Sequence, residues 1–357
     1  MRTLSRRKPW IANLALLAGS FALALGGAEL LLRALYESDY EIHPRGLYSA
    51  DPAVGYVPTP GFTGTFVRDE YAHGVTIGNS GLRGADPRPR RPETYRIVCL
   101  GDSFTWGLGV GDAEAYPHLL EQRLSQRFPG VDLQVLNAGV PGYGTADELR
   151  FFESRLDELD PDLVVVQFLA ENDFNDNRQP ALGRVELRDG WLHSAEPPRP
   201  QPQRTLEWFK RHSVLARAAS ERAGYLAARL GLATATDGDR FSEADAARAG
   251  HLLGRVAALA GARGADSVFV FVTSQTPVVA EEPVEVAAAR VVKDAARAAG
   301  AGFLELTPAL RKREDRYELY YALDGHWTAG GHAAAAEAIG AYIVREHGNA
   351  IAARARE

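Results

Sequence analysis

The chain has 357 residues, 46% hydrophobic and 24% charged, a globular balance that excludes disordered and fibrous classes. A net charge of −6 argues against a nucleic-acid protein, which carries a basic footprint. One cysteine, Cys99, excludes an intrachain disulfide framework and a cysteine-cluster zinc site.

The charge is unevenly placed. Arg2, Arg6, Arg7, Lys8 and Arg33 against Glu29 give residues 1–36 a net +4, which leaves −10 for the remainder. After Arg6-Arg7-Lys8 an uncharged run rich in Leu and Ala extends from Pro9 to Ala28. About 20 residues rising about 1.5 Å each cross a bilayer core of about 30 Å. Basic residues before the run and Glu29, Glu37, Asp39 and Glu41 after it put the N-terminus in the cytoplasm and the rest outside. Residues 1–36 are therefore expected to be a cytoplasmic tail and a single-pass inner-membrane anchor. A cleaved signal peptide, using the small residues of Ala22–Ala28, and a buried soluble helix are the competing readings.

Residues 37–92 are rich in Pro, Gly and Tyr and read as an extracytoplasmic stalk with a small irregular β segment. Asp-Pro-Arg-Pro-Arg-Arg-Pro at 86–92 fits neither helix nor central strand and marks a boundary. From Tyr95 short apolar runs alternate with amphipathic stretches. Tyr95–Leu100, Val131–Leu136, Asp162–Phe168, Ser267–Thr273 and Gly302–Leu306 read as buried parallel strands. Between them, Pro117 suits the first turn of a helix carrying Leu119, Leu120 and Leu124. Thr145-Ala-Asp-Glu148 reads as a capping box before Leu149, Phe152, Leu156 and Leu159. Ala288–Ala299 and Ala333–Arg345 also read as helices. The alternation predicts an α/β fold, a doubly wound, flavodoxin-like parallel sheet of five strands with helices on both faces, over residues 93–347. A long connection at about 175–262, with helices near 205–230 and 242–263, reads as an insertion that roofs the site. Residues 348–357 read as a tail.

Ligands of open parallel sheets bind at the carboxyl ends of the strands. The segments there are Gly101-Asp102-Ser103, Asn137-Ala-Gly-Val-Pro-Gly142-Tyr-Gly144 and Ala170-Glu171-Asn172-Asp173. Leu323-Asp324-Gly325-His326-Trp327 precedes the last helix. Together they supply a serine, backbone donors, a side-chain amide and an Asp/His pair. These are the parts of acyl transfer: a nucleophile, a base to take its proton, a carboxylate to orient the base, and donors for the oxyanion. Each group also has a structural reading. Ser103 and Asn172 can cap helices, Gly142 can be a turn glycine, and His326 can be a packed histidine. Trp106 and Trp327 can line a pocket or pack beneath it. A metal site at Asp324, His326 and His332 lacks a further ligand cluster. There is no G-x-S-x-G elbow, no complete dinucleotide fingerprint and no P-loop.

The four segments resemble those of SGNH (GDSL-type) hydrolases, in particular the membrane-anchored bacterial kind, over about residues 94–345. The resemblance implies Ser103 as nucleophile and, through its N–H, an oxyanion donor. It implies Gly142 as a second backbone donor, five residues after Asn137, and Asn172 as the side-chain donor. Asp324 and His326 would be the orienting acid and the base. Asp51-Pro52, Gly55-Tyr56 and Asn79-Ser80-Gly81-Leu82-Arg83-Gly84 are similar to the lead-in of anchored members. Two departures stand out: Ala170 replaces the usual Gly of the third block, and only Gly325 separates Asp324 from His326 where two residues are usual. Asp-x-His-Trp is similar to related sugar O-acetyltransferases and esterases. The implied activity is serine-dependent ester hydrolysis outside the cytoplasm, without metal or other cofactor. The outer face points to an O-acylated envelope glycan or lipid as substrate. An O-acyltransferase modifying an envelope polysaccharide and an inactive glycan-binding or scaffold module remain as alternatives.

Overall fold

The computed structural model describes residues 9–35, 43–68, 70–194, 208–209, 212–216, 219, 222–223, 241–279, 287–322 and 324–356. The apolar leader forms helix α1 (Pro9–Leu35), and Asn13–Ala34 within it is long and apolar enough to cross a membrane. Its apolar window is not buried against the rest of the protein, so the buried-helix reading fails. Near the end of α1, Glu29 accepts hydrogen bonds from Ser213 Oγ (2.8 Å) and from the backbone N–H groups of Val214 (3.2 Å) and Leu215 (2.9 Å). Arg33 donates to the His212 carbonyl at 2.6 Å. The helix expected near 205–230 falls largely outside the described residues.

Two antiparallel hairpins follow, β1 (Tyr48–Asp51) with β2 (Gly55–Pro58) and β3 (Thr63–Val67) with β4 (Ala72–Thr76). They are not a stalk. Tyr48, Tyr56, Phe66, Val75, Ile77 and Leu82 are buried in the same apolar cluster as Trp106, Tyr143 and Phe151. Burying that much aromatic and aliphatic surface fixes the hairpins to the domain, at about 1.5–3 kcal/mol for each fully buried large side chain.

The main sheet is built from β5 (Thr94–Gly101), β6 (Asp132–Gly139) and β7 (Leu163–Leu169), joined by α2 (Ser103–Trp106), α3 (Tyr116–Arg127) and α4 (Thr145–Leu159). After β7 come α5 (Asp173–Arg178), the hairpin β8–β9 (Val185–Arg188, Trp191–Ser194) and α6 (Glu243–Gly261). Strand β10 (Asp266–Val272), α7 (Ala287–Ala299), β11 (Gly302–Glu305) and α8 (Ala329–Arg354) complete the fold. The five sheet strands are parallel, in the order β11-β10-β7-β5-β6. This is the doubly wound five-stranded arrangement expected from the alternation.

Period-two alternation sorts the strand residues onto two faces. Ile97, Cys99, Val165 and Val270 pack with Leu120 and Leu124 of α3 and Ile339 and Ile343 of α8. Val98, Leu100, Val166 and Phe271 pack with Leu149 and Phe152 of α4, Leu253 and Val256 of α6, and Val292 of α7. Helix α6 is thus the crossover between β7 and β10, not a roof over the site. Its start is a capping box in which the Ser242 hydroxyl accepts the Asp245 N–H (3.2 Å) and the Asp245 carboxylate accepts the Ser242 N–H (2.9 Å).

Two helix ends differ from the sequence reading. Thr145 does not cap α4: Gly144 is the cap residue, and Asn177 Oδ1 accepts the Ala146 N–H at 2.9 Å. Thr145 turns instead to the Asp173 carboxylate, and Glu148, expected to close the box, is buried. Helix α8 begins at the Thr328 cap and runs on to Arg354, so residues 348–354 are helix, with Ile351 fully buried.

Candidate active site

Strands β5 and β7 are neighbours in space but are separated in the chain by β6, so the winding direction reverses between them. A crevice opens at such a reversal beyond the carboxyl ends of the strands. Ser103 follows β5 there and Asn172 follows β7.

At the end of β5, Asp102 turns the chain into α2: its carboxylate accepts the Phe104 N–H at 2.9 Å. Ser103 is the first residue of this helix, so Asp102, not Ser103, provides the cap. The Ser103 hydroxyl lies 2.7 Å from Nε2 of His326. Nδ1 of His326 is hydrogen-bonded in turn to Oδ1 of Asp324. With Nδ1–H donating to the Asp324 carboxylate, Nε2 presents its lone pair to the serine. Phe104 packs against the imidazole, ring centroids 5.0 Å apart, and Trp327 packs edge-on to Phe104 at 4.9 Å. Trp106 and Trp327 are 0% and 1% exposed, so both lie beneath the site and do not line it.

The Asp324 carboxyl is held down to about 2. Burial by itself raises it, but the charge and hydrogen bond of His326, the Arg68 guanidinium and the Tyr71 hydroxyl outweigh burial. Asp324 is therefore a carboxylate at neutral pH, as an orienting acid must be.

Asn172 sits at the start of α5 but makes no side-chain cap bond. Its Nδ2 donates to Oδ2 of Asp102 at 3.0 Å, which fixes the amide beside the serine turn and leaves the second Nδ2 proton unused. Burial raises the Asp102 carboxyl, opposed by the Phe104 N–H and the Asn172 amide. Asn137 is structural: its amide joins the Trp106 carbonyl (3.1 Å) and the Gly139 N–H (3.1 Å), tying the end of β6 to α2. Gly142 lies in the turn after β6 at φ +83°, a conformation glycine adopts without strain. Tyr56 braces that turn by donating to the Pro141 carbonyl at 2.7 Å, and Arg184 donates to the Gly142 carbonyl at 3.0 Å. Ser103, His326 and Asp324 are thus joined directly and Asn172 joins through Asp102. Gly142 stands on the neighbouring turn, held from the lead-in side.

Flanking acids are packed away from this chain. Asp173 is buried, accepting the Leu169 N–H at 2.5 Å, and Glu171 accepts the Ser274 N–H at 2.8 Å. His332, a ligand in the metal reading, instead accepts the Tyr116 N–H through Nδ1 at 3.3 Å.

Sequence reasoning missed what lies behind Asp324. Oδ2 of Asp324 accepts the Tyr71 hydroxyl at 3.1 Å and lies 3.6 Å from Nη1 of Arg68. Both oxygens of Glu70 accept backbone N–H groups of the same loop, Ala322 at 3.0 Å and Asp324 at 2.8 Å. No periodic or motif signal marks residues 68–71. The nearby lead-in motif was legible but gave no hint of this contact.

A parallel five-stranded α/β sheet with a serine, a histidine and a carboxylate in hydrogen-bond series at its carboxyl edge defines a class of protein. The family model for GDSL-like lipases and acylhydrolases matches residues 99–334, and the chain belongs to that family. It is therefore a member of the SGNH/GDSL esterases and acylhydrolases, consistent with ester hydrolysis. The chain is similar in structure to TesA, at 18% identity over 70% of this chain and 98% of that one, TM-score 0.42. It is also similar to the lipase/acylhydrolase from Enterococcus faecalis, at 16% identity over 70% and 95%, TM-score 0.40. A third similar structure is AlinE4, an SGNH-hydrolase family esterase, at 18% identity over 74% and 97%, TM-score 0.38. No curated protein matches the sequence.

Proposed function

We propose that the protein is a serine-dependent carboxylic ester hydrolase, anchored by α1 with its catalytic domain on the extracytoplasmic face of the inner membrane. The observation that carries this reading is the unbroken hydrogen-bond series from Ser103 Oγ through His326 to Asp324. Nε2 of His326 takes the hydroxyl proton as Ser103 Oγ bonds to the ester carbonyl carbon. The carbonyl oxygen becomes an oxyanion, received by the N–H groups of Ser103 and Gly142 and by the free proton of Asn172 Nδ2. Collapse breaks the bond to the alcohol, which leaves with the proton from His326. Water then gives a proton to His326 and its oxygen to the acyl carbon. The second collapse releases the acid and returns the proton to Ser103. Asp324 stays ionised throughout and stabilises the imidazolium. The substrate class is an O-acyl ester on an envelope glycan or lipid, which follows from the proposed location.

The test is covalent. The full chain in detergent or nanodiscs is treated with a fluorophosphonate and its intact mass is read beside Ser103→Ala and His326→Ala. One adduct on the unaltered chain and none on either variant is expected. An unlabelled, folded native chain would refute the reading.

A further inference from the structure

We infer that the turn between β3 and β4 is a working part of the site, with Tyr71, Arg68 and Glu70 as positioning residues for Asp324 and His326. The inference rests on the catalytic reading just given. Asp324 and His326 sit on a tight turn, with one residue between them. Gly325 at its tip has φ +81°, its N–H donates to the Tyr321 carbonyl (3.1 Å), and the Tyr321 N–H donates to the His326 carbonyl (2.8 Å). So short a turn commits Oδ1 of Asp324 to the imidazole and leaves Oδ2 facing away from it. Oδ2 is met by the Tyr71 hydroxyl, which donates to it from 253 residues earlier in the chain, and by the charge of the Arg68 guanidinium at 3.6 Å. They are matched to it in burial: the side chains of Arg68 and Asp324 are 10% and 11% exposed. Glu70 meanwhile receives the N–H groups of Ala322 and Asp324, two donors that the turn itself leaves unused. The ring of Tyr71 packs on Tyr321 at 4.9 Å, and the Tyr321 hydroxyl donates to the Gly109 carbonyl at 2.8 Å, which seats the turn beside the serine segment. Side chain and backbone of the acid are thus both held from outside the sheet. A shortened Asp-x-His spacing needs such a brace, because the turn has no residue left over to supply one.

The assay is p-nitrophenyl acetate hydrolysis by the full chain, read as kcat and KM against pH for the native protein, Tyr71→Phe, Glu70→Gln and Asp324→Asn, with Tyr71→Phe/Asp324→Asn as the double variant. Tyr71→Phe removes one charge-assisted hydrogen bond, so kcat is expected to fall roughly ten- to a hundredfold with KM within about threefold. The acid limb of the kcat/KM profile moves to higher pH, because a carboxylate with one donor fewer holds the imidazolium more tightly. In the Asp324→Asn background the same change costs less than about twofold, since its path to the imidazole is gone. Glu70→Gln, which keeps the size of the side chain, lowers kcat in the same way and keeps the brace testable if Tyr71→Phe fails to fold. An unmoved pH profile, or an equal loss in both backgrounds, would overturn the inference and make these residues structural. A native chain that takes no fluorophosphonate would overturn the catalytic reading instead, and with it the inference.

Discussion

His332 offers a quantitative test of the packing beneath the site. It lies on α8, fully buried, stacked on Tyr116 and edge-on to Trp327. Its Nδ1 accepts the Tyr116 N–H, so the neutral ring is the one that fits. Burial first, then the charges of Arg83, His326 and His73, hold its pKa down from 6.5 to about 3. The sign follows from linkage. The unfolded chain protonates this imidazole near 6.5 and the folded chain does not, so its contribution is whole above 6.5 and drains away as the pH falls toward 3. At pH 5 the loss is about 2 kcal/mol, and near pH 3 about 4 kcal/mol. His332→Asn keeps an acceptor near the Nδ1 position and cannot be protonated, though its smaller volume costs about 1–3 kcal/mol at every pH. Urea unfolding at pH 7.5 and pH 5 measures both proteins. The variant is less stable at pH 7.5, and the gap shrinks by about 2 kcal/mol or reverses at pH 5. His43, also held low, titrates in both proteins, as do Asp147 and Asp176, which burial raises to about 6, so these three cancel in the difference. A gap that stays constant between the two pH values would refute a buried neutral imidazole.

Two further outcomes are expected. Asn172→Ala removes the side-chain oxyanion donor and should lower kcat by roughly 10²- to 10³-fold, while a phosphonate adduct still forms on Ser103; an unchanged kcat would leave Asn172 only its bond to Asp102. Arg83→Met should destabilise the fold by about 3–5 kcal/mol in urea unfolding. Arg83 is 3% exposed, donates to the carbonyls of Trp106 (2.7 Å), Gly107 (2.7 Å) and Val110 (2.6 Å), and pairs with Asp112 at 2.8 Å. A loss under about 1 kcal/mol would mean that water replaces it.

The parts of the protein that announced themselves in sequence are those governed by local rules. Apolar runs such as Leu163–Leu169 are buried on both faces and can hardly be anything but central parallel strands. Ser103, Asn172, Asp324 and His326 were legible because each directly follows a strand or precedes the last helix. What escaped notice was non-local. Nothing in the spacing of Thr145 and Glu148 shows that Asn177, from another helix, takes over the cap. Nor does the Pro- and Gly-rich composition of residues 37–92 reveal that Tyr56 and Phe66 are core residues. The sequence from Ser242 to Asp245 signals a helix start, but whether that helix roofs a site or crosses a sheet depends on strands far off in the chain.

The contact between Tyr71 and Asp324 also sets a clock. Synthesis runs at about 5–20 residues per second, so the 253 residues between them take roughly ten to fifty seconds to appear. For the first part of that interval, until β5, β6 and α4 have emerged, the two hairpins exist without the residues that cover Tyr56, Phe66 and Ile77. Such hairpins are marginal in water by themselves and expose apolar surface. The vulnerable moment for this chain is therefore its emergence, when a nascent lead-in must be kept from pairing with others until the first strands of its own sheet arrive.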